Sequence, residues 1–165
     1  MKQLFLLTLM HILLIAPVQA SDSLHIIEPW IPESPPGAQV MAGFMKLYNT
    51  GTQNLEVVAV SSPHFKTVEM HLSKDVEGVA KMIPQQQLSI VAGETLVLKP
   101  GSYHLMLIKP AKRFRDGDKI KIQLTLNNGE HQTFDAPVKK TPATSMRGMK
   151  CGNGKCGMGK CGSAK

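Results

Sequence analysis

The stretch Lys119 to Leu126 constrains the fold more than any other: Ile120, Ile122, Leu124 and Leu126 alternate with Lys119, Lys121, Gln123 and Thr125. Side chains on a strand change face at every residue, so this alternation collects the four apolar groups on one side, whereas a helix would scatter them around its circumference. Asn127-Asn128-Gly129 follows directly and supplies the residues that a tight hairpin needs, with a partner strand running from about Glu130 to Val138. Similar runs recur upstream at Leu24 to Ile31, Gln39 to Asn49, Leu55 to Ser61, Phe65 to Leu72, Val79 to Ile83, Thr95 to Lys99 and Tyr103 to Lys109. Turn signals separate them: Pro32 to Gly37, Asn49-Thr50-Gly51, Ser61-Ser62-Pro63, Ser73 to Gly78, Pro100-Gly101 and Asp116-Gly117. About nine short strands with no persuasive helical period predict an all-β chain, an antiparallel sandwich or barrel.

The two ends of the chain have a different character. Residues 1–20 carry Lys2, then an apolar run of 12 residues from Leu4 to Ile15 broken only by Thr8 and His11, then Val18-Gln19-Ala20, a small-residue cleavage pattern. This reads as a secretory signal peptide, and the run is shorter than the roughly 20 residues that cross a bilayer. The expected mature protein begins near Ser21, is exported and does not span a membrane. The formal net charge of +7 resides almost entirely at the other end. Between Ser21 and Val138 there are 11 basic and 12 acidic residues, whereas residues 139–165 hold 7 basic and no acidic ones. A nearly neutral body without a basic stripe argues against nucleic acid as a partner. The same tail contains all 3 cysteines, in three five-residue units that begin at Cys151, Cys156 and Cys161. With no aromatic residue and little to bury, residues 139–165 are expected to form a flexible, disordered Lys/Gly/Cys-rich extension of a domain spanning 21–138.

The 10 methionines are many for 165 residues. Thioether sulfur is soft and uncharged, suits Cu(I), and combines naturally with imidazole nitrogen. Met70-His71 closes one predicted strand, Met82 lies on the next, and His104-Leu105-Met106 opens a third. Residues i and i+2 share a strand face, so His104 and Met106 form one clamp, and His71 with Met82 can close it from the opposite edge. Met41, Met45 and Met70 read as core filler. His25, His64 and His131 carry no functional signal.

The spacing His71, ten residues, Met82, twenty-one residues, His104, one residue, Met106 resembles the motif of the periplasmic copper-chaperone family called PCuAC. Pro29-Trp30, Phe44 to Asn49, Ser61-Ser62-Pro63 and Leu98 to His104 also look like that family, and the resemblance extends over roughly Ile26 to Val138. It implies a cupredoxin-like Greek-key barrel, Cu(I) held by His71, Met82, His104 and Met106, a periplasmic location, and delivery of copper to a respiratory oxidase copper centre or another periplasmic or membrane-anchored acceptor, as in cytochrome oxidase assembly. The Cys-rich tail departs from the His/Met-rich extensions commoner in that family.

Other classes fare worse. A blue-copper electron carrier needs a Cys thiolate beside two His, and none lies between Ser21 and Lys150. No Gly-x-Ser-x-Gly elbow, paired-carboxylate pattern or His-Glu-x-x-His supports a hydrolase, so the expectation is a non-enzyme. Copper sequestration stays open as an alternative, with Cys151, Cys156 and Cys161 as the principal thiolate binders and the domain as an anchor. Three evenly spaced thiols suggest that the tail captures a soft metal ion, with a solubilising role or an intermolecular disulfide as alternatives, since an odd number of thiols leaves one unpaired.

Overall fold

A computed structural model describes residues 23–76 and 78–140. The expected signal segment 1–20 and the cysteines Cys151, Cys156 and Cys161 lie outside the described residues. Ten strands make up the fold: β1 (Leu24–Pro32), β2 (Val40–Asn49), β3 (Leu55–Ser61), β4 (Phe65–Val76), β5 (Val79–Gln85), β6 (Leu88–Ile90), β7 (Thr95–Leu98), β8 (Tyr103–Pro110), β9 (Lys119–Leu126) and β10 (His131–Lys139). They hydrogen-bond in the order β5-β4-β8-β2-β1-β10-β9-β3-β6, with β7 on the second half of β2. All neighbours are antiparallel except β1 and β10, which pair in parallel at Ile31 and Val138. No helix occurs among the described residues, and so none there is long and apolar enough to cross a membrane.

The alternating strand behaves as its pattern demands. Ile120, Ile122, Leu124 and Leu126 of β9 are buried, while Lys119 and Lys121 face water. The hairpin after it closes through Gly129, whose φ of 85° is the left-handed conformation that glycine adopts without strain. These β9 side chains share one hydrophobic core with Met70 of β4, Leu105 and Leu107 of β8, and Met41 and Met45 of β2. The three methionines expected to be packing residues are therefore in the core.

Two elements differ from the sequence reading. The segment Ser73 to Gly78, expected as a loop, belongs mostly to β4: Ser73, Lys74, Asp75 and Val76 pair with Met82, Lys81, Ala80 and Val79 of β5 in a tight hairpin. Alternation at a sheet edge need not be apolar, because neither face there meets the core, so this polar strand carries no periodic signal. The three-residue β6 was also not anticipated. It is held by pairing with β3 and by the burial of Leu88 and Ile90, a pattern too short to read.

One buried polar side chain ties the barrel end away from β5. Asn49 is 0% exposed. Its Nδ2 donates to the carbonyls of Gln53 (2.8 Å) and Ile90 (3.0 Å), and its Oδ1 accepts from the Gly51 N–H (2.9 Å). Truncation removes all three bonds and takes this donor from the buried Ile90 carbonyl, so Asn49→Ala is expected to cost about 2–3 kcal/mol, read from the urea midpoint at unchanged m-value. Methionines divide by position in the same assay. Met41→Ala, in the core, is expected to lose about 2–5 kcal/mol, while Met82→Ala stays within about 0.5 kcal/mol because Met82 is 57% exposed.

Candidate metal centre

The antiparallel pairing of β4 with β8 places His71 directly opposite His104 and Glu69 opposite Met106. Directly opposed residues share a sheet face, so these four side chains stand together, while their chain neighbours Met70 and Leu105 oppose each other on the face that enters the core. On the other side of β4, Met82 of β5 lies opposite Ser73, two residues along from His71 and on the same face. The sheet thus brings His71, His104 and Met106 onto adjoining positions and sets Met82 diagonally beside them. No sequence-predicted ligand of the domain falls on the wrong face.

The two imidazoles are buried, each 6% exposed, with ring centroids 5.9 Å apart. Each ring is held by a different atom. His104 donates from Nδ1 to the carbonyl of Ser102 at 3.0 Å, which leaves Nε2 with the lone pair. That carbonyl also accepts the Ser73 N–H at 3.1 Å, and the turn bearing it is closed by Gly101 at φ 77°. His71 presents Nε2 to the Glu69 carboxylate at 2.9 Å. A carboxylate only accepts, so Nε2 carries the proton and the lone pair sits on Nδ1. Nδ1 is buried and has no hydrogen-bond partner. Leaving a buried acceptor unsatisfied costs about 1–3 kcal/mol, unless a ligand fills its coordination.

An imidazole bound through one nitrogen at about 2 Å has its ring centre about 3 Å from the ion, so two rings on one ion have centroids no more than about 6 Å apart. The separation of His71 and His104 meets that condition. Among the described residues no group of three or more His, Cys, Asp and Glu could hold a metal. Any ion between these rings must therefore draw on further donors, and the soft ones on this face are the thioethers of Met82 and Met106. Soft sulfur with two neutral nitrogens selects a soft, low-charge ion.

Glu69 was not singled out from the sequence, although its position two residues before His71 on a strand was a usable signal. Its side chain is about half exposed. A second unanticipated neighbour is the aromatic pair Trp30 and Phe44, with centroids 5.0 Å apart on β1 and β2. Phe44 lies two residues from Ala42, the partner of Met106, and so on the same face as the histidines. It is buried but stands apart from the main core cluster. His25 and His131 lie on other strands, and His64 packs edge-on against Phe114.

Comparison with known proteins gives the same picture of the fold. The chain superimposes on the copper-bound PCuAC domain from PmoF2 with a TM-score of 0.63 at 19% identity, over 74% of this chain and 97% of that one. It superimposes on CuI-DR1885 from Deinococcus radiodurans with a TM-score of 0.58 at 24% identity, over 76% and 84%. The cupredoxin-like architecture expected from the sequence is thus the one observed. In sequence, the chain is 27% identical over 124 residues to Lxx21020 of Leifsonia xyli subsp. xyli, a protein with a lipoprotein name, covering 74% of each. It is 27% identical over 126 residues to RP573 of Rickettsia prowazekii, an uncharacterized protein, covering 72% of this chain and 68% of that one. The model of the LpqE-like lipoprotein family matches residues 24–138, from the first residue of β1 almost to the end of β10. With that span covering every strand of the domain, the chain belongs to the LpqE-like family and has the fold of PCuAC domains.

Proposed function

We propose that this protein is an exported, non-enzymatic copper carrier that holds one Cu(I) through His71, Met82, His104 and Met106 and passes it by ligand exchange to a periplasmic or membrane-anchored acceptor, such as a respiratory oxidase copper centre. The observation that carries this reading is the pair of buried imidazoles 5.9 Å apart, each with its lone-pair nitrogen decided by a hydrogen bond at the other nitrogen. Two copper-bearing structures among those it superimposes on support the identity of the ion. Residues 1–20 and the lipoprotein name of a relative support export.

Copper is cargo in this reading, and the four ligands do different work. The histidines are pre-set in burial and tautomer, so they lose little freedom on binding. Met82 stands on an edge strand and is largely exposed, so it is the ligand an incoming donor can displace first. Neutral donors leave a monovalent ion with little uncompensated charge, which favours Cu(I) over Cu(II) in a partly desolvated setting.

The test uses the full chain with Cys151, Cys156 and Cys161 replaced by Ser, so that tail thiols do not compete. Titration with Cu(I) under reducing conditions is expected to saturate at one ion per chain. His104→Ala with Met106→Ala on this background is expected to abolish that binding, because the β8 clamp loses both donors. Undiminished binding in the double variant would remove the assignment. Restoring the cysteines is expected to raise the stoichiometry above one, since thiolates also capture Cu(I).

A further inference from the structure

We infer that Glu69 is a positioning residue that makes His71 offer Nδ1 to the metal while His104 offers Nε2, so that the two histidines bind through opposite ring nitrogens. This rests on the copper-site reading above and specifies how that site is wired. The two rings are direct cross-strand partners on the same face, yet their surroundings are not equivalent. A main-chain carbonyl, that of Ser102, takes the Nδ1 proton of His104 at 3.0 Å. On His71 the carboxylate of Glu69 takes the Nε2 proton at 2.9 Å, and Nδ1 is the buried atom left without a partner. A histidine that ligates a metal through one nitrogen has its ring orientation and tautomer set by the group that holds the other. Here the holding groups sit on opposite sides of the two rings.

The geometry around Glu69 explains why a side chain does this on β4 while the backbone does it on β8. Ser102 belongs to the turn between β7 and β8, and its carbonyl, which accepts the Ser73 N–H with one lone pair, takes the His104 Nδ1 proton with the other. His71 lies in mid-strand between β5 and β8, and there a side chain rather than a main-chain carbonyl takes the ring proton. That side chain is two residues back on the same face, where the sequence has Glu69. Its position opposite Met106 adds a consequence. The carboxylate brings one negative charge to the edge of a site whose donors are neutral, matching the single positive charge of Cu(I).

The experiment is nitrogen NMR of the full chain with Cys151, Cys156 and Cys161 replaced by Ser, with ring nitrogens correlated to ring protons, before and after one equivalent of Cu(I) under reducing conditions. Without copper, His71 is expected to show a protonated Nε2 and a pyridine-like Nδ1, and His104 the reverse. On adding Cu(I), the large shifts are expected at Nδ1 of His71 and Nε2 of His104. Glu69→Ala is expected to mix the His71 tautomers, leave His104 unchanged, and weaken Cu(I) binding about 10-fold or more. Glu69→Gln, whose amide oxygen can still accept from Nε2, is expected to keep the tautomer and lie closer to wild type. A His71 tautomer that is the same in wild type and Glu69→Ala overturns the inference, as does a copper-induced shift at its Nε2. If copper binds but neither histidine responds, the site reading itself falls, and the inference with it.

Discussion

The register between β4 and β8 is the constraint on which the rest of the molecule depends. One pairing scheme sets Met70 against Leu105 and His71 against His104. Because successive side chains point to opposite faces, the first pair enters the core and the second forms the candidate centre. Slipping either strand by one residue would bury a histidine in the core and expose a core leucine. The apolar core therefore enforces the site, although no core residue donates to it. Leu105 and Leu107, almost wholly buried, are as necessary to the alignment of His104 and Met106 as those residues' own chemistry.

Burial and exposure are divided within the centre in a way that suits an ion held in transit. The imidazoles are enclosed and oriented, which gives selectivity and lowers the cost of ordering on binding. The thioethers are less confined, and Met82 stands on the outermost strand. A resident metal cofactor is better served by a closed shell, whereas a cargo ion needs at least one ligand that can leave. Phe44 and Trp30 extend the face beyond His104 with aromatic surface that lies outside the main core cluster. The opposite face of the same strands enters the single core that also takes in the β9 side chains, and the Asn49 network adds to it. That division between faces lets β4 and β8 carry polar and soft groups outward while Met70, Leu105 and Leu107 pack inward.

Much of this was legible in the sequence, for physical reasons that can be assigned residue by residue. The alternation from Lys119 to Leu126 required a half-buried strand, and Asn127-Asn128-Gly129 required a turn, because side-chain period and left-handed φ are local properties of the chain. The step from His104 to Met106 announced a shared face for the same reason. Soft donor types at motif spacing marked His71, Met82, His104 and Met106 as candidate ligands. Strand β6 and the polar half of β4 were not legible, since pairing with β3 and β5 decides them and the residues' own periodicity does not.

What only the tertiary structure decided is which groups, distant in sequence, meet across the ladder and at which atoms. Sequence placed His71 and His104 on strands but could not set their mutual register, which follows from the core packing of both strands at once. It could not distinguish Nδ1 from Nε2 on either ring, because tautomer is set by a hydrogen-bond partner: for His104 the Ser102 carbonyl in a turn, for His71 the Glu69 carboxylate. Residue identity and spacing supplied the candidate donors. The choice of donor atom depends on ångström-scale contacts between neighbours, and those exist only once the β4–β8 pairing has formed.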